Sequence, residues 1–468
     1  MHTQNFRSLA TGALALIVTL PLAACGGAPN GNATAEAASA NGEYVAERNT
    51  VDGIETVRTV AGSRWGGDGQ LVEELSIGEE IGDDAYLFGQ ISAAWATDDR
   101  IYVVDSQVPA IRAYDHQGNY LFDIGSVGQG PGEYGRPMSI VVGDDGRIIV
   151  TDLQGARLNF FDADGAPLDD WSLGSSAAAM GLEMTYDGEL FTRMIELPDM
   201  SEMTSGRIEI REGMQAVGPD GPIGDPVFPP ESDYEPPTSS VEVGGNRMQM
   251  ALPFTPRQGW VFTPGGDIVV GVGNEYRFEI HAPDGRVLAI EKYWDPVPVD
   301  PDEKSFRAEM ASIRLRRMAP DFTIPASDIP ASKPAFTRFR ADRSRRVWVV
   351  RQGPSRLDPD CTEMGSSGGG GTMIMMSLGG GGGGGGMELR VGDGSSFGGG
   401  DDEYEGECWA NTYMFDLFEL ASGEFLGTVP APEMGFNIPL FVDGDTVLAA
   451  VTDGMGITRL KKYRLVTG

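Results

Sequence analysis

The chain has 468 residues, with 35 Lys and Arg against 69 Asp and Glu, a formal charge of −34. Such a surface repels phosphate backbones, which excludes nucleic acid as a partner. Length alone suggests about three domains, while three histidines and three cysteines leave few ligands for a transition-metal site.

Residues 1–24 read as an export signal: Arg7 supplies positive charge, and an apolar run from Leu9 to Leu22 is too short to span a bilayer comfortably. The run ends in Leu22-Ala23-Ala24-Cys25-Gly26, which resembles a bacterial lipobox. The resemblance implies cleavage before Cys25, lipid on its sulfur and, with Gly26 rather than aspartate next, an outer-membrane address facing the periplasm or cell surface. The alternative is an ordinary secretory signal with an incidental cysteine. Several acyl chains at one residue make anchoring stable where one does not. Residues 25–50 then form a tether rich in Gly, Ala, Asn and Ser, with no aromatic before Tyr44. It holds the folded body about 25–30 Å from the membrane.

The fold is predicted by a repeat. Asp-Arg-Ile-Tyr-Val-Val-Asp (99–105) returns as Gly-Arg-Ile-Ile-Val-Thr-Asp (146–152), and Asp105, Asp115 and Gly118 map onto Asp152, Asp162 and Gly165 by one shift of 47 residues (152 − 105, 162 − 115, 165 − 118). Short alternating strands repeating every 40–50 residues or so mark the blades of a β-propeller. The first two blades fall at 91–125 and 138–173. A weaker third lies near Thr185–Thr192 and runs into a Pro-rich surface loop at 218–237. The fourth follows at Ile268–Val270 and Tyr276–Ile280, the fifth at Arg346–Val350 with Thr412–Asp416, and the sixth at Asp445–Val451 with Tyr463–Val466. Residues 51–80 hold two period-2 segments, Thr56–Val60 and Leu71–Ile77, both expected to close the last blade. The prediction is an all-β, six-bladed propeller over 51–468, with seven blades if 51–80 forms more than a closing strand.

Two insertions interrupt it. Residues 300–318 predict a helix, with Asp300 as cap, Pro301 in the first position and Phe306, Met310, Ile313 and Arg317 on one face. Its basic cluster, Arg307, Arg314, Arg316 and Arg317, reads either as structural pairing with nearby carboxylates or as a contact for an anion or partner, since guanidinium forks suit carboxylate and phosphate. Residues 351–410 carry eight consecutive glycines at 379–386 and predict a long mobile loop. Cys361 and Cys408 stand at its ends and are expected to form a disulfide in an oxidising compartment, the alternative being two free thiols.

Motifs for chemistry fail their context. Gly128–Gly135 matches G-x-G-x-x-G, but no helix follows and Pro131 and Pro137 favour a turn. Gly394-Ser395-Ser396-Phe397-Gly398 matches a nucleophile-elbow string inside glycine-rich sequence, without strand or helix. Beyond the signal only His116 and His281 remain, too few for a zinc site. Met364, Met373, Met375, Met376 and Met387 could offer thioethers to Cu(I), but low-complexity loop accounts for them. Asp144-Asp145-Gly146 and Asp162-Ala163-Asp164-Gly165 lack an EF-hand loop, and turn chemistry explains them. Their oxygens still leave a calcium ion in the central channel as an alternative.

Gly128-Gln129-Gly130-Pro131-Gly132-Glu133-Tyr134 before a blade, the Ile-x-Val-x-Asp strands, and Tyr413–Asp416 with Gly423–Gly427 together resemble bacterial six-bladed propeller lipoproteins of the NHL-repeat and TolB-like group. The likeness covers most of 90–466 and implies a fold and little mechanism. It departs from NHL-type lyases, whose metal chemistry needs histidines absent here. The expectation is a non-enzymatic, lipid-anchored module of the cell envelope that binds a protein, peptide or glycan on one face, without a required cofactor. The alternatives are a calcium-dependent hydrolase or lactonase resembling the gluconolactonase-like propellers, and a structural member of an envelope assembly.

Overall fold

A computed structural model describes residues 43–174, 181–196, 211–243, 246–316, 319–359, 373–378, 387–392, 406–431 and 439–468. Six four-stranded antiparallel blades form a ring. Blade one is Ile91–Ala96, Ile101–Asp105, Ala110–Tyr114 and Tyr120–Asp123, and blade two is Pro137–Val142, Ile148–Asp152, Arg157–Phe161 and Pro167–Ser172. Blade three runs through Leu182–Met184, Leu190–Glu196, Arg211–Gly218 and Gly221–Val227, and blade four through Gln258–Phe262, Ile268–Val272, Arg277–His281 and Val287–Lys292. Blade five is Arg338–Ala341, Arg346–Gln352, Tyr413–Glu419 and Phe425–Pro430. Blade six takes Phe441–Asp443, Thr446–Thr452 and Thr458–Val466 from the C-terminal end, and its outer strand, Gln70–Ile77, from the N-terminal part.

Each blade is apolar on both faces, so it can hide its surface only between two neighbours. Six buried clusters fill the six seams. Tyr102, Val104, Ile140 and Val150 join blades one and two; Val141, Phe160, Leu182 and Val217 join two and three. Met214, Phe262 and Ile268 join three and four; Trp348, Phe415, Val447 and Tyr463 join five and six. Ile77, Ile101, Leu448 and Leu460 close six onto one. The seam between four and five is the most aromatic, with Phe278 5.2 Å from Phe339 and 5.3 Å from Phe418, and Phe336 5.0 Å from Phe339. Such pairs add about 0.5–1.5 kcal/mol each beyond their burial.

The repeated aspartates have distinct structural jobs. Asp105 accepts the backbone N–H groups of Gly89, Gln90, Gln107 and Val108, tying the linker that enters blade one to the loop leaving its second strand. Asp152 does the same with Gly135 and Arg136 in blade two. Asp115 and Asp162 instead build turns, accepting from Gln117 and Asn119 and from Asp164 and Ala166, while Gly118 and Gly165 adopt φ of 84° and 83°. That left-handed conformation is where glycine is least strained. The Gly-rich stretch before blade two is a turn: Gly130 N–H donates to Glu133, and buried Tyr134 links Ile111 N–H to the Ile124 carbonyl.

Four expectations are corrected. The tether does not extend to residue 50, because Val45–Val51 pairs with Ile54–Ala61. Only Leu71–Ile77 closes the last blade; the Thr56–Val60 segment lies within Ile54–Ala61, which adds in parallel to the outer edge of blade four. Between them Arg64 and Trp65 donate to Phe425 and Leu426 on blade five, so residues 43–77 form a belt across blades four, five and six. About a third of the Pro-rich 218–237 loop is the outer strand Gly221–Val227, since an edge strand tolerates proline where an inner one cannot. Finally, 351–410 is not all loop. Arg356–Leu357 pairs with Trp409–Ala410 at its base, and Met373–Leu378 pairs with Met387–Gly392. The glycines at 379–386 lie outside the described residues.

The predicted helix forms as α1 (Pro301–Arg316). Asp300 caps it, its carboxylate accepting the Asp302 N–H at 2.8 Å. With Thr238–Val243 and Asn246–Ala251, an unforeseen hairpin, it belongs to the connections that enter blades four and five. Ala308 packs with Leu252, Ile324 and Ile329 in a small cluster of its own.

Candidate functional site

The strand directions sort every connection onto one of two rims. The rim reached by the end of each inner strand carries only tight turns of two to five residues, such as 97–100, 143–147, 282–286 and 444–445. The opposite rim carries the linkers between blades and the loops after each second strand, and therefore α1, the hairpin and the 351–410 insertion. Exposed apolar side chains follow the same division. Ile81 is 86% exposed, Met455 74%, Tyr293 65% and Val127 62%, all on the loop rim. Of the others, Val108 and Leu357 sit on that rim and six on outer strands, while Val466 ends the third strand of blade six; none lies in the turns of the opposite rim.

The predicted helix arginines separate. Arg316 makes a fork to Glu309 (2.7 and 2.9 Å) and donates to the Phe322 carbonyl, which explains it structurally. The Arg314 side chain and Arg317 lie outside what is described. Arg307 stacks near Phe254 and Phe306 and faces buried Glu303 at 3.6 Å. Glu303 also accepts from Ser355 (2.5 Å), and buried Lys333 donates to Ser355 and to the Gly353 carbonyl, 3.5 Å from Glu303. These bonds clamp α1 onto blade five, so the cluster holds the cap in place.

His116 bonds the Thr97 carbonyl and His281 faces Glu279, on different blades. Cys408 is buried next to Asp358, whose N–H donates to its carbonyl; Cys361, its expected partner, lies outside the described residues. So do Cys25, Met364 and the Gly394–Gly398 string, and of Met373, Met375, Met376 and Met387 only the backbone is described. Among the described residues no group of three His, Cys, Asp or Glu side chains could hold a metal ion.

The axis holds what sequence reading missed. Of the six inner strands, those of blades one, two and four carry no charged residue, whereas blade three brings Glu183, blade five Arg338 and Arg340, and blade six Asp443. Arg343, in the turn after the inner strand of blade five, reaches across the end of the channel. Its N–H donates to Val442 (3.3 Å) on blade six and its Nη1 to the Met184 carbonyl (3.5 Å) on blade three, while its guanidinium lies 5.3 Å from the Trp95 ring of blade one. Tyr186 of blade three donates to the Arg343 carbonyl at 3.2 Å. From blade three, Arg193 stacks 5.1 Å over Trp260 of blade four and pairs with Glu212 at 3.3 Å.

Burial pushes the Glu183 carboxyl up, opposed by the charges of Arg340, Arg193 and Arg343. Burial likewise pushes the Arg340 guanidinium down, against the pull of Glu183 and Asp342. Blades three and five are not neighbours, so Glu183 and Arg340 act on each other through the lumen. The inner strands bring Glu183 and Asp443 from separate blades, and among the described residues no group of three carboxylates forms for a calcium ion, which needs six to eight oxygens. A signal was present in the sequence: Arg338-Phe339-Arg340 alternates charge and aromatic residue in what becomes the inner strand of the fifth blade. Only ring closure brings Arg340 to the Leu440 carbonyl, on the linker into blade six.

No curated protein matches the chain. A member of the duf4221 family from Bacteroides vulgatus is similar at 9% identity, with a TM-score of 0.44, over 86% of this chain and 99% of that one. A Bacteroides fragilis protein that carries the description of an exported protein is similar at 10% identity (TM-score 0.39, 84% and 95% covered). Virginiamycin B lyase from Staphylococcus aureus is similar at 11% identity (TM-score 0.36, 81% and 97%). Residues 82–190 match the DUF5128 family, described as a 6-bladed beta-propeller, and the chain is a six-bladed β-propeller.

Proposed function

We propose that this propeller is a lipid-anchored binding module of the cell envelope that holds a protein, peptide or glycan on its loop rim. One observation carries the reading: the rim that bears all long connections also bears the exposed apolar loop side chains, while the other rim is trimmed to tight turns. A rigid ring that presents variable loops on one side suits recognition, and apolar side chains exposed among polar ones favour a contact surface. The anchor rests on the lipobox-like Leu22–Cys25 sequence. Fatty-acid labelling of the cells should mark the wild-type protein and not a Cys25→Ala variant.

The binding claim is tested by placing a photo-crosslinking residue at Met455 or Ile81 on the loop rim, and at Asp284 on the turn rim, in living cells. One reproducible envelope partner captured from the loop rim alone is the expected result. No capture, or capture from the turn rim as well, overturns it.

A further inference from the structure

We infer that the cleft between blades two and three, at the turn rim, binds one ring of a neutral sugar, stacked on Trp171 and hydrogen-bonded by Asp144, Asp187 and Arg343. The inference goes beyond the loop-rim reading and does not rest on it. The turns here are as short as elsewhere on this rim; the site comes from the gap between two blades.

The first argument is shape. A cavity of about 280 Å³ lies between turn 143–147 of blade two and turn 185–189 of blade three. That volume stands near the lower end of ligand pockets, about 300 Å³, which suits a single ring rather than a long chain. One wall is apolar: Phe160 and Trp171, with ring centroids 4.4 Å apart, stand beside Ile149, Met184 and Leu190. Phe160 is buried, whereas Trp171 is only half-buried, so its indole is the part of that wall a ligand can cover. A large aromatic face of this kind buries the C–H surface of a ring.

The second argument is pairing. Asp144 and Asp187 line the cavity from its two turns, both exposed, and among the described residues neither makes a hydrogen bond or ion pair. Their neighbours differ. Asp145 is held by Arg147 at 2.6 Å, and Asp115 and Asp162 spend their carboxylates on their own turns. Arg343 closes the cavity toward the axis, its guanidinium 5.3 Å from the Trp95 ring and 5.9 Å from the Tyr186 ring. Its bond to the Met184 carbonyl, at 3.5 Å, uses one N–H of the five a guanidinium carries.

The third argument is the class of ligand. A simple anion meets the free carboxylates of Asp144 and Asp187, and a simple cation meets Arg343. A neutral ring with several hydroxyls donates to the carboxylates and accepts from the guanidinium at once. Hydrogen bonds of that kind, with one charged partner, are the stronger ones.

The test is saturation-transfer NMR on the folded chain with the methyl glycosides of glucose, galactose and N-acetylglucosamine, and with choline and inorganic phosphate as charged probes. At least one glycoside should receive saturation, strongest at its ring C–H protons, and neither charged probe should. Trp171→Ala should weaken that glycoside about tenfold or more. Because Trp171 packs on Phe160 in the seam, the exposed Asp144→Ala and Asp187→Ala give a second reading that leaves the seam intact. Each should weaken binding about tenfold, the loss of one hydrogen bond to a charged group. Failure of all three glycosides to bind, binding that none of the three variants alters, or preference for choline or phosphate overturns the inference. Crosslinking from Met455 should stay unchanged in Asp187→Ala, so either reading can fail without the other.

Discussion

The two rims are made by the same strands and connect them in opposite ways. On the turn rim the same device recurs: a carbonyl three residues back accepts the glycine N–H, as in Asp115–Gly118, Asp162–Gly165, Thr185–Gly188 and Ala282–Gly285. These turns leave the chain nothing to spare for recognition. On the loop rim the chain takes detours, and each must be stabilised separately: Asp105 and Asp152 gather backbone N–H groups, and Glu303 and Lys333 clamp the helix. The difference teaches that the ring's stability and its variable surface are carried by different residues.

Three perturbations sharpen that contrast, in falling order of effect. A change midway between the rims should weaken both together. Asp416, fully buried, accepts from Tyr276 (2.6 Å) and Lys292 (2.8 Å) across the seam of blades four and five, and from Thr428 (2.7 Å) and Arg351 (3.2 Å) of its own blade. Asp416→Asn leaves buried cations uncompensated and should cost about 3–5 kcal/mol in chemical denaturation. The pH dependence follows. Burial alone would raise this carboxyl, but Lys292 and Arg351 more than reverse that and hold it below the usual aspartate range. The folded state thus releases the proton more readily than the unfolded chain, whose aspartates titrate near about 3.9. Its contribution is complete above that value and is lost as pH falls through it toward the lower folded value. Wild type should therefore lose stability on acidification below about pH 4 more steeply than Asp416→Asn does; equal slopes would remove Asp416 from the account.

The second perturbation acts on the loop rim alone. Glu303→Gln weakens the charged contacts of Lys333 and Arg307 and should cost about 2 kcal/mol, felt first in the cap. Hydrogen exchange in α1 should speed up while the strands of blades one and two stay protected. Uniform loss of protection would show that the cap is part of the ring's cooperative unit. The smallest effect belongs to the turn rim: Gly285→Ala has open space for its methyl but a φ of 85°. It should cost about 1 kcal/mol through backbone strain alone. A neutral result would mean that the turn relaxes.

The repeat was readable because it is local. Asp115 and Gly118 and their counterparts 47 residues on act within a few residues of themselves, and Asp105 and Asp152 reach no further than the linker that enters their own blade, so sequence spacing reports such bonds directly. The weak third blade and the destination of Thr56–Val60 were not readable, since an edge strand is defined by the strand it meets, here Val287–Lys292 more than 200 residues later. The helix was readable from its cap and apolar face, but the role of its arginines was not: Arg316 spacing to Glu309 exceeds one helical contact, and the pair depends on the side chains reaching back.

By itself the sequence determined the blade and the turn, because periodicity and glycine placement act over short spans of chain. Only the tertiary structure decided what surrounds the axis. Arg343 of blade five meets Met184 of blade three, Val442 of blade six and Trp95 of blade one across a lumen that exists only once six seams have closed. That bridging is a property of the ring, and no shorter segment of the chain carries it.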